Sequence, residues 1–518
     1  MNGARAVLQT LVDAGVDTCF MNPGTSEMHF VAALDDVPAM RSTLALFEGV
    51  ATGAADGYAR MARRPAATLL HLGPGLGNGV ANLHNARRAA SPVVNIVGDH
   101  AQTHHRYDAP LESDIETVAR NVSRFVRRAT QPATVGIDVA DTIAASQGPP
   151  GQVATLVLPA DVSWSEGAAP AIAPPPRAAT VPAPHTIAEI TAALRSGTPC
   201  ALLVGGSGCA GRALTLASAV AESTGARLLA ETFPARLERG AGRPPVERLA
   251  YLAELAVSQL DGLAHLVLVG ARSPVSFFAY PGKPSDLVPA GCHVHHLGDE
   301  TTDVEAALDI LAGELGVTEQ SCRHQQHEVP GLPDGALTAQ SLAVVLGALL
   351  PEGAIVSDEG NTLGLFAPGA TACSPPHDWL CLAGGAIGQG LPVAVGAATA
   401  CPDRPVIAFE ADGSALYTLQ SWWTMARSGL DVTTVVLRNG SYAVLNMELQ
   451  RVGAHAGGPA AKRMLDLTDP DLDFVALAAG MGVPGEKVDT ADGFAVALRR
   501  ALAAPGPRVI EAIVPSLV

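Results

Sequence analysis

Basic residues are scarce in this chain: 33 Lys and Arg stand against 50 Asp and Glu, for a net charge of −17, and no basic cluster stands out. That argues against a nucleic-acid partner, whose phosphates such a cluster would have to neutralise. Charge of either sign is thin, at 16% of residues against 48% hydrophobic, so little is available to solvate a separate monomer and extensive subunit contacts are expected. Long apolar runs are missing too. None approaches the roughly 18 uninterrupted residues of a membrane span, and the N-terminal stretch lacks the basic start and apolar stretch of a signal peptide. The eight cysteines (Cys19, Cys200, Cys209, Cys292, Cys322, Cys373, Cys381, Cys401) contain no CxxC pair. Their scatter argues against a zinc site or disulfide framework and points to a reducing, cytoplasmic setting.

What is present is enough apolar sequence for several cores, since 518 residues exceed one ordinary domain. Two stretches read as linkers: an Ala/Pro-rich one from Glu166 to His185, and a polar one from Glu319 to Asp334 that ends in Pro-Gly and Pro-Asp turns. They predict domains at 1–165, 186–318 and 335–518. Within each, short β-rich runs alternate with helical patterns, for example PVVNIVG and ATLVLP, then CALLVGG and HLVLVG, then PVIAFEA and VTTVVLRN. Apolar strands alternating with helices imply an α/β chain of Rossmann-like, doubly wound parallel sheets covered on both faces. Ligands of such sheets sit beyond the carboxyl ends of the strands, so the residues just after these runs are the ones to watch.

In the last third, the run PVIAFE leads into Ala411, Asp412, Gly413 and Ser414, and the next strand pattern ends in Arg438, Asn439, Gly440, Ser441 and Tyr442. A carboxylate and an amide oxygen at neighbouring strand ends are hard ligands of the kind Mg²⁺ prefers. The glycine and the following helix suit a phosphate. Upstream lie Gly360-Asn361-Thr362 after the run AIVSDE, and the segment Gly384-Gly385-Ala386-Ile387-Gly388-Gln389-Gly390-Leu391-Pro392. The order and the 27-residue interval from Asp412 to Asn439 resemble the thiamine diphosphate motif, in which GDG precedes an Asn-Asn pair. The resemblance assigns Asp412, Asn439 and the Ser441 carbonyl as Mg²⁺ ligands. It places Gly360, Asn361, Gly413, Ser414 and Tyr442 against the cofactor, with Ile387 as the apolar wedge that bends it. Two positions depart from the pattern, Ala411 for the first glycine and Arg438 for the first asparagine. Neither removes a ligand, and an alanine is tolerated wherever its φ is negative.

The first third carries a second set. Glu48 ends an apolar run and precedes Ala55-Asp56-Gly57-Tyr58-Ala59-Arg60; a buried carboxyl there can share a proton with a ring nitrogen. Asn22-Pro23-Gly24-Thr25 follows the run TCFM, and His71 through Asn78 (HLGPGLGN) follows ATLL. These stretches resemble thiamine diphosphate-dependent 2-oxo acid decarboxylases and acetolactate synthases, most nearly benzoylformate decarboxylase. The resemblance makes Glu48 the partner of the aminopyrimidine ring, Thr25 a contact of the substrate carboxylate, and His71 an acid–base residue. Gly24 and Asn78 become cofactor contacts, and His100, after PVVNIVG and Asp99, a further substrate contact. It also implies pyrimidine-binding, central and diphosphate-binding domains, and a homodimer or homotetramer with active sites between subunits. A small 2-oxo acid would be the substrate, cleaved or joined beside its carbonyl.

Which fate follows is left open by the sequence. Benzoylformate decarboxylase draws a second histidine from its middle domain, whereas the comparable stretch here holds Phe277, Phe278 and Tyr280 and no histidine. Two rival readings remain. Gly206, Gly208 and Gly211, with Glu231 20 residues beyond Gly211, match a dinucleotide fingerprint, as a flavin or nicotinamide oxidoreductase would have. A non-catalytic homologue is the other.

Overall fold

Runs such as Val93–Asp99 and Val153–Pro159 carry apolar side chains on both faces and are stable only when covered on both sides. In the computed structural model, which describes residues 1–454 and 457–516, both are fully buried neighbours in a parallel sheet. The residues left out, 455–456 and 517–518, all fall in the third expected segment.

The first sheet has six parallel strands: β1 (Thr18–Asn22), β2 (Arg41–Leu44), β3 (Ala66–Leu70), β4 (Val93–Asp99), β5 (Phe125–Arg128) and β6 (Val153–Pro159), in the order β2-β1-β3-β4-β6-β5. The second is built from β7 (Cys200–Val204), β8 (Arg227–Ala230), β10 (Glu247–Arg248), β11 (His265–Val269) and β12 (His293–His296), while β9 (Leu237–Arg239) leaves it. Its order is β10-β8-β7-β11-β12. The third sheet takes β9 together with β13 (Ile355–Glu359), β14 (His377–Cys381), β15 (Val406–Ala411), β16 (Val432–Arg438), β17 (Gly485–Val488) and β18 (Arg508–Ile513). Its order is β17-β18-β16-β15-β13-β14-β9, with only β9 antiparallel. The architecture is thus α/β with three parallel-dominated sheets.

Two departures from the sequence pattern have physical causes. β14 (HDWLC) reads as polar, yet it is wholly buried, because Asp378 takes charge-assisted hydrogen bonds from Arg236 Nε and Arg404 Nη2, each at 2.6 Å. β9, from the middle third, pairs with it along His377↔Arg239 and sews the middle of the chain to the third sheet. Between the expected domains, 166–183 holds no element beyond a single bridge from Thr180 to Thr302. The stretch 319–334 holds one short turn of helix at Glu319–Ser321.

The first and third sheets meet through two helices, Glu48–Ala62 and Gly390–Ala400. Their backbones touch because small residues line the seam. A Cβ on Gly57 would fall 2.2 Å from the Val393 carbonyl oxygen, and one on Gly396 would fall 1.9 Å from that of Ala54. On the first helix the Asp56 carboxylate grips Arg60 at 2.8 and 2.6 Å, both side chains being essentially inaccessible. Arg60 also donates to the Cys381 carbonyl at 2.8 Å and to Gln389 Oε1 at 3.2 Å. The A-D-G-Y-A-R run therefore locks the two halves together. Among the described residues no helix is long and apolar enough to cross a membrane.

Candidate active site

Four adjacent strands of the first sheet deliver their following residues to one rim. β1 leads to Thr25, β2 to Glu48, β3 to His71 and β4 to His100. Glu48 opens its helix and is 8% exposed; Asn78 Nδ2 donates to its Oε2 at 3.0 Å. Among the described residues its Oε1 has no hydrogen-bond partner, and the nearby Gly75 has no side chain to cover it, since a Cβ there would lie 3.0 Å away. A carboxyl with one oxygen braced and the other open at the rim fits a ring nitrogen that shares a proton with it. Thr25 is exposed at the start of a short 3₁₀ turn. Gly24 is a matter of close approach, because a Cβ would sit 2.3 Å from the His71 ring.

His71 is not alone. Its Nδ1 lies 2.8 Å from Oε2 of Glu27, a buried residue at the end of the Thr25–Glu27 turn, and the same oxygen accepts the Gly24 N–H at 2.7 Å. Burial pushes the Glu27 carboxyl above its usual range, against the opposing pull of His71 and of the Gly24 amide. Its other oxygen, Oε1, is buried without a partner against Gly98. Glu27 does not stand out in the sequence. A carboxylate closing the turn next to a strand-end histidine was the available signal, but 44 residues separate the two.

His100 is half-buried, its main-chain N–H donates to Asp99 Oδ1 at 2.7 Å, and its Nε2 is buried with no hydrogen-bond partner. Its ring stands 5.2 Å from that of His104. His105 is held at 2.8 Å from Glu112, with Asp99 3.5 Å away and paired with Arg128.

The second rim belongs to β16, β15, β13 and β14 of the third sheet. Asp412 is buried, and its Oδ2 accepts the main-chain N–H groups of Asn439 at 3.0 Å and Gly440 at 2.7 Å, which draws the two motif halves together. Burial raises its pKa, with those amides opposing. Asn439 Oδ1 accepts the Ser441 N–H at 2.9 Å, and the Ser441 carbonyl accepts from Ala443 at 2.9 Å. One carboxylate, one amide oxygen and one carbonyl form an all-oxygen set of low charge. That chemistry fits a hard divalent cation which also binds a diphosphate.

Both departures from the motif are harmless here. Ala411 has φ −86°, where a Cβ is at ease. Arg438 turns to Glu511, at 2.6 Å, and to Asp471. Gly413 lies under the Tyr442 ring, 2.4 Å from where a Cβ would be. Ser414 Oγ donates to the Ala411 carbonyl at 3.1 Å and stands 3.3 Å from Glu410. Gly360 donates to Asp358 at 3.1 Å, and Asn361 is exposed with φ +47°.

Between the rims runs the segment 384–390, fixed from both sides. Glu359, at the end of β13, accepts the Gly388 and Gly390 N–H groups at 2.8 and 2.6 Å, and burial pushes its pKa up to about 7. Glu410 stands beside it and is raised further by burial and by Glu359 itself. From the other side, Asn82 Nδ2 donates both to the Gly49 carbonyl at 2.8 Å and to the Gly388 carbonyl at 3.2 Å. Asn85 clasps Ala386 at 2.8 and 3.1 Å. Glu48 and Ile387 are therefore each one residue from a carbonyl held by the same Asn82. Ile387 is half-buried. Glu359, Asn82 and Asn85 were not anticipated, because a carboxylate in an apolar strand and two asparagines three apart on a helix do not announce their distant partners. The middle-domain stretch also arrives here: Phe277 packs on Gly385, 2.5 Å from where a Cβ would be, with Phe233, Tyr251 and Phe278 around it at ring distances of 6.0, 5.5 and 4.9 Å. In the central sheet, Glu231 is spent on the glycine turn itself, accepting the Gly206 N–H at 3.0 Å.

Comparison with known proteins bears on both rims. Residues 1–119 match the thiamine pyrophosphate enzyme N-terminal TPP binding domain, and residues 362–512 match the corresponding C-terminal TPP binding domain. The chain is 60% identical, over all of both sequences, to a Mycobacterium tuberculosis (H37Rv) protein that carries the provisional name acetolactate synthase large subunit IlvX. It is 31% identical to benzoylformate decarboxylase of Pseudomonas aeruginosa, over 96% of each chain. Among solved structures it is similar to the thiamine diphosphate-dependent 4-hydroxybenzoylformate decarboxylase of Rhodococcus jostii RHA1, with a TM-score of 0.87, 25% identity and 99% of each chain covered.

Proposed function

The chain belongs to the thiamine pyrophosphate enzyme family that includes acetolactate synthases and benzoylformate decarboxylases, and from that premise we propose that it cleaves the bond between the carboxylate and the carbonyl of a 2-oxo acid and passes the acyl fragment to a second carbonyl compound. When bound, thiamine diphosphate supplies the carbon nucleophile and the electron sink for such a step. Asp412, Asn439 and the Ser441 carbonyl hold Mg²⁺, and Gly360, Asn361, Gly413, Ser414 and Tyr442 receive the diphosphate. Ile387 is the apolar wedge, with Gly24 and Asn78 beside the pyrimidine.

The chain's own proton handling falls to two carboxyls. Glu48 Oε1 holds a proton against a ring nitrogen while Asn78 keeps Oε2 in place. Glu27 fixes the His71 ring through Nδ1, leaving Nε2 to exchange a proton with a substrate oxygen. Thr25 contacts the substrate carboxylate, and the buried, unpartnered Nε2 of His100 meets the substrate from the adjacent strand end.

The observation that carries the choice of fate is the wall on Gly385. Phe277, Phe233 and Phe278 bring no histidine or carboxyl to that face, and burial pushes the neighbouring Tyr251 phenol up to about 12, so condensation is favoured over protonation to an aldehyde. Glu231 bonded to the glycine turn weighs against a dinucleotide in the central domain. The chain assembles as a homodimer or homotetramer with its active sites at the interface between subunits, in keeping with the exposed Leu46 and Tyr417 near the rims. Eight free cysteines fit the cytoplasm.

The test is a panel of 2-oxo acids given to the protein with thiamine diphosphate and Mg²⁺, with and without an acceptor aldehyde. Carbon dioxide release that rises with acceptor, and a hydroxyketone product, is expected. Aldehyde as the sole product would overturn the assigned fate. Glu48→Gln should abolish release, by about 10² to 10⁴ in kcat, while cofactor affinity stays close to that of the parent; the reverse pattern removes Glu48 from its role.

A further inference from the structure

A cavity of about 490 Å³ lies away from both rims, where the helix Gly211–Thr224, the 319–334 segment and Ala372 meet. Three arginines line it, Arg227, Arg239 and Arg323, with Gln325 and apolar surface from Leu228 and Val246. Two of the arginines already have acids: Arg227 sits 3.2 Å from Glu247, and Arg323 sits 3.9 Å from Glu222. Arg239 does not. Among the described residues its guanidinium makes one hydrogen bond, to the Pro368 carbonyl, and no ion pair. It stacks 5.2 Å from the Trp379 ring centroid.

The surroundings sharpen the imbalance. Burial first, and then the neighbouring Arg248, push the Arg239 guanidinium down to about 10, against the pull of Asp358, which lies beyond ion-pair distance and is bonded to Trp379 and Gly360. Arg248 itself faces the Cys381 sulfur at 2.9 Å rather than a carboxylate. His377, which pairs with Arg239 across β9 and β14, is pushed down to about 4 by burial and by Arg239. A cation in such a place is costly unless an anion answers it.

We propose that this cavity is a binding site for a small organic anion, whose carboxylate or phosphate pairs with Arg239 and whose apolar body lies on Leu228 and Val246. A guanidinium with open N–H groups binds either anionic group in a two-point fashion. Gln325 is placed to add a neutral donor. Nothing in the proposed reaction uses this site, so it stands apart from the two rims.

The test uses the full chain loaded with thiamine diphosphate and Mg²⁺, titrated calorimetrically with benzoate, phenyl phosphate and inorganic phosphate, with benzamide as the uncharged control. Binding of benzoate or phenyl phosphate but not benzamide is expected, weakened at least about tenfold by Arg239→Gln, the loss of one charge-assisted pair. The stronger of the two anions identifies the natural head group, and inorganic phosphate alone shows whether the apolar body matters. Should Arg239→Gln fail to fold, Ala226→Phe fills the cavity without touching a charge and should block the same binding. No anion binding to the parent chain, or binding undiminished in these variants, overturns the site.

Discussion

Gly57→Ala adds one methyl group where the two central helices touch. Its Cβ would lie 2.2 Å from the Val393 carbonyl oxygen and 2.7 Å from Val393 Cα, and both are backbone atoms that cannot swing aside. Reaching even a tight 3.0 Å contact from 2.2 Å demands that the helices part by about 0.8 Å. Overpacking of this kind costs about 1–3 kcal/mol, offset by up to about 1 kcal/mol from the better helix propensity of alanine. The larger effect is on activity. Glu48 begins one of these helices, and the 384–390 segment leads straight into the other, so the spacing of the Asn82 bridge between Gly49 and Gly388 must change. A misplacement near 1 Å is worth on the order of 10² in rate. The assay is kcat/KM for carbon dioxide release on the best 2-oxo acid from the panel, together with thermal melting. A fall of about 10² in kcat/KM with a modestly lower melting temperature is expected. A variant within about twofold of the parent in kcat/KM would refute the claim that this seam sets the site.

Glu27→Gln should lower kcat by about 10² and alter the acid side of the rate profile. The raised pKa of Glu27 means that it takes up a proton at a higher pH than an ordinary carboxylate, so the parent loses the carboxylate behind His71 as pH falls, and the variant has none to lose; an unchanged acid limb would count against the pair. Asp412→Asn should weaken apparent Mg²⁺ affinity by more than the roughly 10- to 100-fold that loss of a supporting contact costs, read from the metal dependence of cofactor binding. Glu359 gives a stability signature. Its folded pKa of about 7 lies above the ordinary 4.5, so the folded chain keeps a proton that the unfolded chain releases. That contribution, shared with the neighbouring Glu410, is fully present below about 4.5 and is lost as pH rises to about 7. Melting curves of Glu359→Gln should be flatter between those pH values than those of the parent, and an equal slope would assign the dependence elsewhere.

Much of the candidate site was legible because its parts are short and continuous. β15 running into Asp412, β16 into Asn439 and β3 into His71 are strand-to-turn units whose geometry follows from local sequence. Their meaning came with the family resemblance. The alternation of apolar runs with helices announced parallel sheets for the same reason. β14 escaped notice because its buried Asp378 is satisfied by Arg236 and Arg404, distant in the chain. β9 escaped because a three-residue strand carries no period to read.

By itself, then, the sequence determined which residues would stand at strand ends and that the strands would be buried, since hydrophobic pattern and turn chemistry act over a few residues. Only the tertiary structure decided their company: Glu27 behind His71, Asn82 between Gly49 and Gly388, Phe277 against Gly385, and Arg239 without an acid. Those partnerships join groups tens to hundreds of residues apart. A buried polar group must be satisfied, but the sequence does not record by whom, and that is fixed only when the sheets pack.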